Sequence, residues 1–241
     1  MTSAIAAVAE GLRRAGVDLP LIGLAWARAL PVATLVPAFG LRALPAPLRP
    51  AMALAIAVGI VPAVAPVATA SPGPWVVAAL VEVARGLPVA VAAAVPLWAA
   101  TTAGGLADAL RGASHVVEMP TVEERSTPLA VLLSLLACAT FLSTGGPAAV
   151  AVALARAPEG VHSLEATAEV LVSGIGLAMA IGSPILAASV VIEVAAALVS
   201  RATSPTQVAA MVAPLRTMGI LAAFALLLDR IGAAWLRALP R

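Results

Sequence analysis

The amino-acid sequence predicts an all-α integral membrane protein with about six long, kinked or split apolar helices, and three features predict it. Apolar residues make up 62% of the 241-residue chain and charged residues only 11%. A water-soluble domain carries about 25% charged residues to cover its surface, so this chain has too little polar surface to face water alone. Mean hydropathy is +1.06, and the apolar residues gather into runs of bilayer length. Finally, prolines interrupt those runs, at Pro31, Pro37, Pro62, Pro66, Pro88, Pro96, Pro147, Pro184 and Pro214. Each removes a backbone donor, which apolar surroundings tolerate only where neighbouring protein or water satisfies the freed carbonyl. Helices packed among protein fit that pattern better than straight rods in lipid.

The first eighteen residues hold Glu10, Arg13, Arg14 and Asp18 and no long apolar core, unlike a cleavable signal peptide. The expected organisation is a polar tail at 1–18, a membrane domain at 19–229 and a basic tail at 230–241. A bilayer core of roughly 30 Å takes about 20 helical residues to cross. Apolar runs of that scale lie at 19–39, 51–68, 75–103, 128–154, 166–200 and 208–228, which predicts six crossings. The third and fifth are overlong, since 35 helical residues extend about 52 Å. Breaks are expected at Pro88 and Pro96 and at Gly182-Ser183-Pro184. Gly174, Ala178 and Gly182 recur every four residues, the small-residue spacing that lets helices approach closely. Arginines divide almost evenly between the two sides, so the positive-inside rule assigns no orientation.

The stretch 104–127 is too polar to span, with Asp108, Arg111, His115, Glu118, Glu123, Glu124 and Arg125. It follows Thr101-Thr102-Ala103-Gly104-Gly105, which predicts a helix break, then a water- or lumen-facing loop with a short helix at 106–110.

Five ionisable residues fall inside the apolar runs: Arg28, Glu82, Arg85, Glu193 and Arg216. An unpaired charge at mid-helix costs about 2.5–3.5 kcal/mol on insertion scales, so these residues are expected to pair, line water or lie outside hydrocarbon. Glu82 and Arg85 stand three apart, close enough to pair within one helix. Glu193 has Arg201 two turns along, and Arg28 and Arg216 are candidate partners from other segments. The competing reading has Arg28 and Arg216 reaching to an interface and Glu193 buried neutral.

Function classes narrow by elimination. All fourteen cationic residues are arginine, but the net charge is only +2, which is no footprint for nucleic acid. The single cysteine, Cys138, excludes an intrachain disulfide and reads as a small buried hydrophobe. No His-Glu-x-x-His, Gly-x-Ser-x-Gly or phosphate-binding loop occurs, and His115 and His162 both fall in polar connections. No enzyme activity, metal or cofactor is expected. A small-molecule permease remains the alternative, with a midplane site at the Gly182-Ser183-Pro184 break.

The order of motifs resembles the FliR/SctT family of export-gate subunits, shared by flagella and type III injectisomes. The resemblance covers residues 24–228. Arg28-x-x-Pro31, Pro37-Ala38-Phe39, Leu44-Pro45 and Arg49 are similar to its first hairpin. Glu82-Val83-Ala84-Arg85-Gly86 is similar to its Glu-x-x-x-Gly element, with Ala103-Gly104 opening a polar loop. Pro184, Glu193, Leu198-Val199-Ser200-Arg201, Pro205, Gln207 and Pro214-Leu215-Arg216 resemble its C-terminal signature, although Thr206 separates Pro205 from Gln207. The resemblance implies a subunit in the bacterial inner membrane, built like a fusion of its two small partner types. Those partners would be FliP/SctR-type and FliQ/SctS-type subunits, with an FlhB/SctU-type subunit alongside. It also implies that Gly104, Gly105, Asp108, Arg111 and His115 belong to a plug loop in the channel. Arg28, Glu82, Arg85, Glu193, Arg201 and Arg216 would then bridge helices or subunits.

Overall fold

A computed structural model describes residues 18–39, 48–64, 72–112, 126–156, 162–202 and 205–238, and all the regular structure there is helical. Helix α1 spans Leu19–Leu35, α2 Leu48–Ile60 with a 3-10 turn at Val61–Ala63, and α3 Pro72–Leu110. Helices α4 (Pro128–Ser143) and α5 (Gly146–Ala155) follow, then α6 (His162–Ala202) and α7 (Pro205–Ala238). Asp18 caps α1 by accepting from the Leu21 N–H, with proline in the first turn, where its missing donor does no harm.

Helix α3 is the axis of the bundle, touching α1, α4, α5, α6 and α7. Trp75 Nε1 donates to the Pro20 carbonyl near one end of α3, and Arg28 meets Glu82 further along, so α1 and α3 run parallel. Helices α4 and α5 return antiparallel, because Ala130 lies against Gly104 whereas the Leu154 carbonyl reaches Arg28 beside Glu82. Helix α6 is again parallel to α3: Gly174 faces Val95 and Gly182 faces Leu106. Helix α7 folds back along α6, with Gly219 on Ile192. The core is made largely of small residues, Ala25, Ala29 and Ala33 against Ala90, Ala93 and Ala94, so axes come close and van der Waals contact replaces bulk. Phe39 and Phe141 close one side edge-to-face, with centroids 5.9 Å apart.

Several expected breaks do not occur. Helix α3 is continuous through Pro88, Pro96 and Thr101-Thr102-Ala103-Gly104-Gly105. Both prolines are buried against neighbouring helices, and the threonines turn their hydroxyls onto their own helix, Thr101 to the Leu97 carbonyl and Thr102 to that of Ala99. Gly104 and Gly105 are where α4 packs. Where a loop was expected from Gly104, the chain stays helical to Leu110, and the separate helix at 106–110 is the last turn of α3; residues 113–125 of the expected loop lie outside the described residues. Helix α6 likewise runs unbroken through Gly182-Ser183-Pro184. The fourth apolar run is the one that does break, by 66° at Thr144-Gly145. Gly145 takes the left-handed φ of 80° that glycine alone adopts freely, and a proline follows within the first two residues of α5. Helix α7 runs on past the expected tail boundary at 229/230, as far as Ala238.

Among the described residues, two helices, within Trp75–Leu110 and Thr167–Val199, are long and apolar enough to cross a bilayer, or three if the bent α4–α5 pair is one span. Leu19–Leu35 and Leu48–Ala63 are shorter apolar helices of the same membrane fold. Only 22% of the most apolar stretch of α6 is buried within the chain.

Candidate functional site

Five of the eleven residues singled out in the sequence form two charge clusters between helices. In the first, Arg28 of α1 donates from Nε to Glu82 Oε2 of α3 at 2.6 Å, and from Nη1 to the Leu154 carbonyl at 3.2 Å. Arg85 donates from Nη1 to the other carboxylate oxygen, Oε1, at 2.7 Å. The side chains of Arg28 and Glu82 are only 4% and 7% exposed. One carboxylate thus holds two guanidinium groups, and the C-terminal end of α5, where carbonyls lack helical partners, helps neutralise the excess cation. The cluster fixes the register of three elements that apolar contact alone would let slide. Arg28 does not reach to an interface, nor does it meet Glu193.

Glycine makes this approach possible. Gly86, one turn after Glu82, faces the Arg28 backbone, and a Cβ there would overlap the Arg28 carbonyl. At the other end of α3, a Cβ on Gly104 would overlap the α4 backbone at Leu129 and Ala130. Gly105 is looser, its nearest neighbours being Ala130 and Thr127 in ordinary contact.

Asp108, expected in an open loop, is fully buried. Its Oδ2 accepts from the Leu129 N–H at 2.7 Å and its Oδ1 from Arg111 Nε at 2.6 Å. Thr127 sits at the N-cap of α4 without making a cap bond, so Asp108 does the capping from a neighbouring helix. A carboxylate on an α4 N-terminal donor also meets the positive end of that helix. Asp108→Ala is expected to destabilise the protein by about 1–3 kcal/mol, leaving the part-buried Leu129 N–H without its acceptor, while Asp108→Asn, which keeps an acceptor oxygen, retains most of the capping. Thermal unfolding in detergent compares the two; equal losses would rule out the cap.

In the second cluster, Arg216 Nε of α7 lies 2.6 Å from Glu193 Oε1 of α6, with 41% and 48% of the side chains exposed. The Nε–H does not align with that oxygen and has no acceptor, so the contact is Coulombic. Of the two candidate partners for Glu193, Arg216 takes the place. Arg201 lies exposed in the last turn of α6, and His115 lies outside the described residues.

Sequence reasoning missed the two backbone partners, Leu154 O and Leu129 N, because carbonyl and amide positions carry no residue signature. The Glu82-to-Gly86 spacing of four, which puts charge and gap on one helical face, was the signal for the α1 contact.

An open apolar groove lies between α1 and α2, lined by Leu19, Ile22, Gly23, Trp26, Pro50, Ala51 and Leu54, with the Trp26 indole N–H donating to the Pro50 carbonyl at its edge. No titratable residue lines it. The break expected to form a permease site is intact helix.

Fold and charge clusters together define an all-α membrane protein whose helices are locked by internal ion pairs and glycine contacts. The chain belongs to the bacterial export proteins, family 1, the FliR/SctT/YscT family of type III export proteins, whose family model matches residues 19–240. No individual curated protein matches it in direct comparison. It is accordingly a structural component of a bacterial export apparatus, of the type III or flagellar kind.

Proposed function

We propose that this chain is the gate subunit of a type III protein export channel. In this role it assembles in the inner membrane with FliP/SctR-type, FliQ/SctS-type and FlhB/SctU-type subunits, passes unfolded protein and catalyses no reaction. Beyond the family match, the observation that carries this reading is the unmatched length of α6. Gly182 of α6 abuts Leu106 of α3, yet α6 runs on to Ala202 whereas α3 ends at Leu110. At 1.5 Å per residue, the α6–α7 hairpin projects about 24 Å past the end of α3. Its surface stays apolar there, with Val190, Val191, Val194, Leu198 and Val199 all exposed. An apolar surface that size has to be covered by lipid or protein, and in the gate reading neighbouring subunits cover the part beyond the bundle.

The plug role narrows in this reading. Gly104, Gly105 and Asp108 serve the α3–α4 contact, so the plug role passes to the polar sequence after Gly112, including His115, Glu118, Glu123 and Glu124, which lies outside the described residues. Co-expression with the FliP/SctR-type and FliQ/SctS-type subunits of the same genome is expected to give one stable complex in detergent. Deleting 114–124 should raise ion leakage through that complex while leaving it assembled. A chain that stays monomeric beside those subunits, or a deletion without leakage, would refute the gate and the plug respectively.

A further inference from the structure

We propose that residues 4–14 dock as an amphipathic helix in the apolar groove between α1 and α2, with Ile5, Val8 and Leu12 turned into it. These residues precede both the described structure, which begins at Asp18, and the family match, which begins at Leu19. The proposal does not rest on the gate reading.

The chemistry of the groove states what it takes. No titratable side chain lines it, and Leu19 and Leu54 on its two walls stay 38% and 46% exposed. The polar groups at its edge, the Trp26 indole N–H and the Pro50 carbonyl, already satisfy each other. What the groove lacks is apolar cover, not a hydrogen-bonding partner or a charge.

The sequence before Asp18 carries a face of that kind. Ile5, Val8 and Leu12 stand at i, i+3 and i+7, so on a helix they fall within about 60° of one another. The charged residues Arg13, Glu10 and Arg14 then lie about 80–180° round from Ile5, away from the apolar stripe. Length matches as well: the seven helical steps from Ile5 to Leu12 cover about 10 Å, as do the seven from Leu19 to Trp26.

The point of entry favours this occupant over a free one. Asp18 is an extended N-cap, with φ −88° and ψ 96°, so α1 starts afresh there and the preceding chain leaves its axis. The very next residue, Leu19, lines the groove. Gly16 supplies a residue that reverses direction without steric cost, which lays the segment back along α1. Leu12 then lies toward the Leu19 end and Ile5 at the level of Trp26. So short a tether gives an effective concentration on the order of millimolar, against which an untethered helix or lipid chain competes poorly. Docked, the segment replaces an apolar groove by a face that carries Glu10, Arg13 and Arg14.

The test uses the full chain in membranes, in a Cys138→Ser background that removes its single cysteine. Ala51→Cys stands beside Pro50, at the Trp26 level. With it, Ile5→Cys is expected to form a disulfide within one chain at least tenfold faster than two controls. These are Ala7→Cys, about 160° round the helix, and Leu12→Cys, about 10 Å nearer the Leu19 end. Val8→Glu should cut the Ile5–Ala51 disulfide at least tenfold, whereas Val8→Leu should leave it intact. A photo-crosslinking residue at Leu54 should join to residues 5–12 of the same chain, as mapped by mass spectrometry. Equal disulfide rates at the three positions, or a disulfide indifferent to Val8→Glu, would overturn helical docking. Crosslinks from Leu54 that miss the segment and reach lipid, a second copy or another polypeptide would overturn the choice of occupant. Either result leaves the gate reading standing.

Discussion

Glu82→Ala is expected to be the most damaging single substitution in the protein, lowering stability by about 3–5 kcal/mol. Removing the carboxylate leaves Arg28 and Arg85 side by side, both largely buried, with the Leu154 carbonyl as the one remaining acceptor for Arg28. The loss comes from the stranded cations, not from the value of the ion pairs. The triple variant Arg28→Met, Glu82→Leu, Arg85→Met, which replaces charge by similar volume, is therefore expected to lie within about 1–2 kcal/mol of wild type, since buried pairs exchanged for apolar groups are often neutral. Thermal unfolding midpoints in detergent measure both. If the alanine variant melts with the wild type, or the triple variant melts with the alanine variant, the cluster does not act through charge matching.

The second large effect concerns sign as well as size. Glycine to alanine in an exposed helix interior stabilises by about 1 kcal/mol, because alanine restricts the unfolded chain and glycine does not. Gly59 and Gly176, which have open space where an added methyl would stand, should follow that rule. Gly86→Ala and Gly104→Ala should do the reverse, each destabilising by about 1–3 kcal/mol, because the added methyl meets a neighbouring backbone that has to move. Opposite shifts in unfolding midpoint between the two pairs are the expected result; four shifts of one sign would mean the helices are not in that close contact.

The helical class and the membrane setting were legible because they follow from bulk quantities, low charge and long apolar runs. The Glu82–Arg85 pairing was legible from spacing, being local to one helix. What the sequence hid was non-local. Proline and Gly-Gly pairs look like breaks when read one segment at a time, but α3 is packed on several sides, and that packing keeps it helical through Pro88 and Pro96. The same blindness placed Asp108 in a loop: a carboxylate near a polar stretch looks solvated until the amide it caps, twenty-one residues on, is folded beside it. The sharp corner at Gly145 lies in a run whose apolar composition shows no interruption.

Arg28 stands 54 residues before its carboxylate and 126 before its carbonyl acceptor. Ribosomes add about 5–20 residues per second, so the nascent α1 carries an uncompensated cation for roughly 3–11 s until Glu82 is made, and roughly 6–25 s until Leu154 is. Helix α3 arrives in a different condition, with Arg85 able to neutralise Glu82 as soon as one turn has wound. The Arg28 guanidinium thus acquires its full set of partners only once the segment ending at Leu154 has been made.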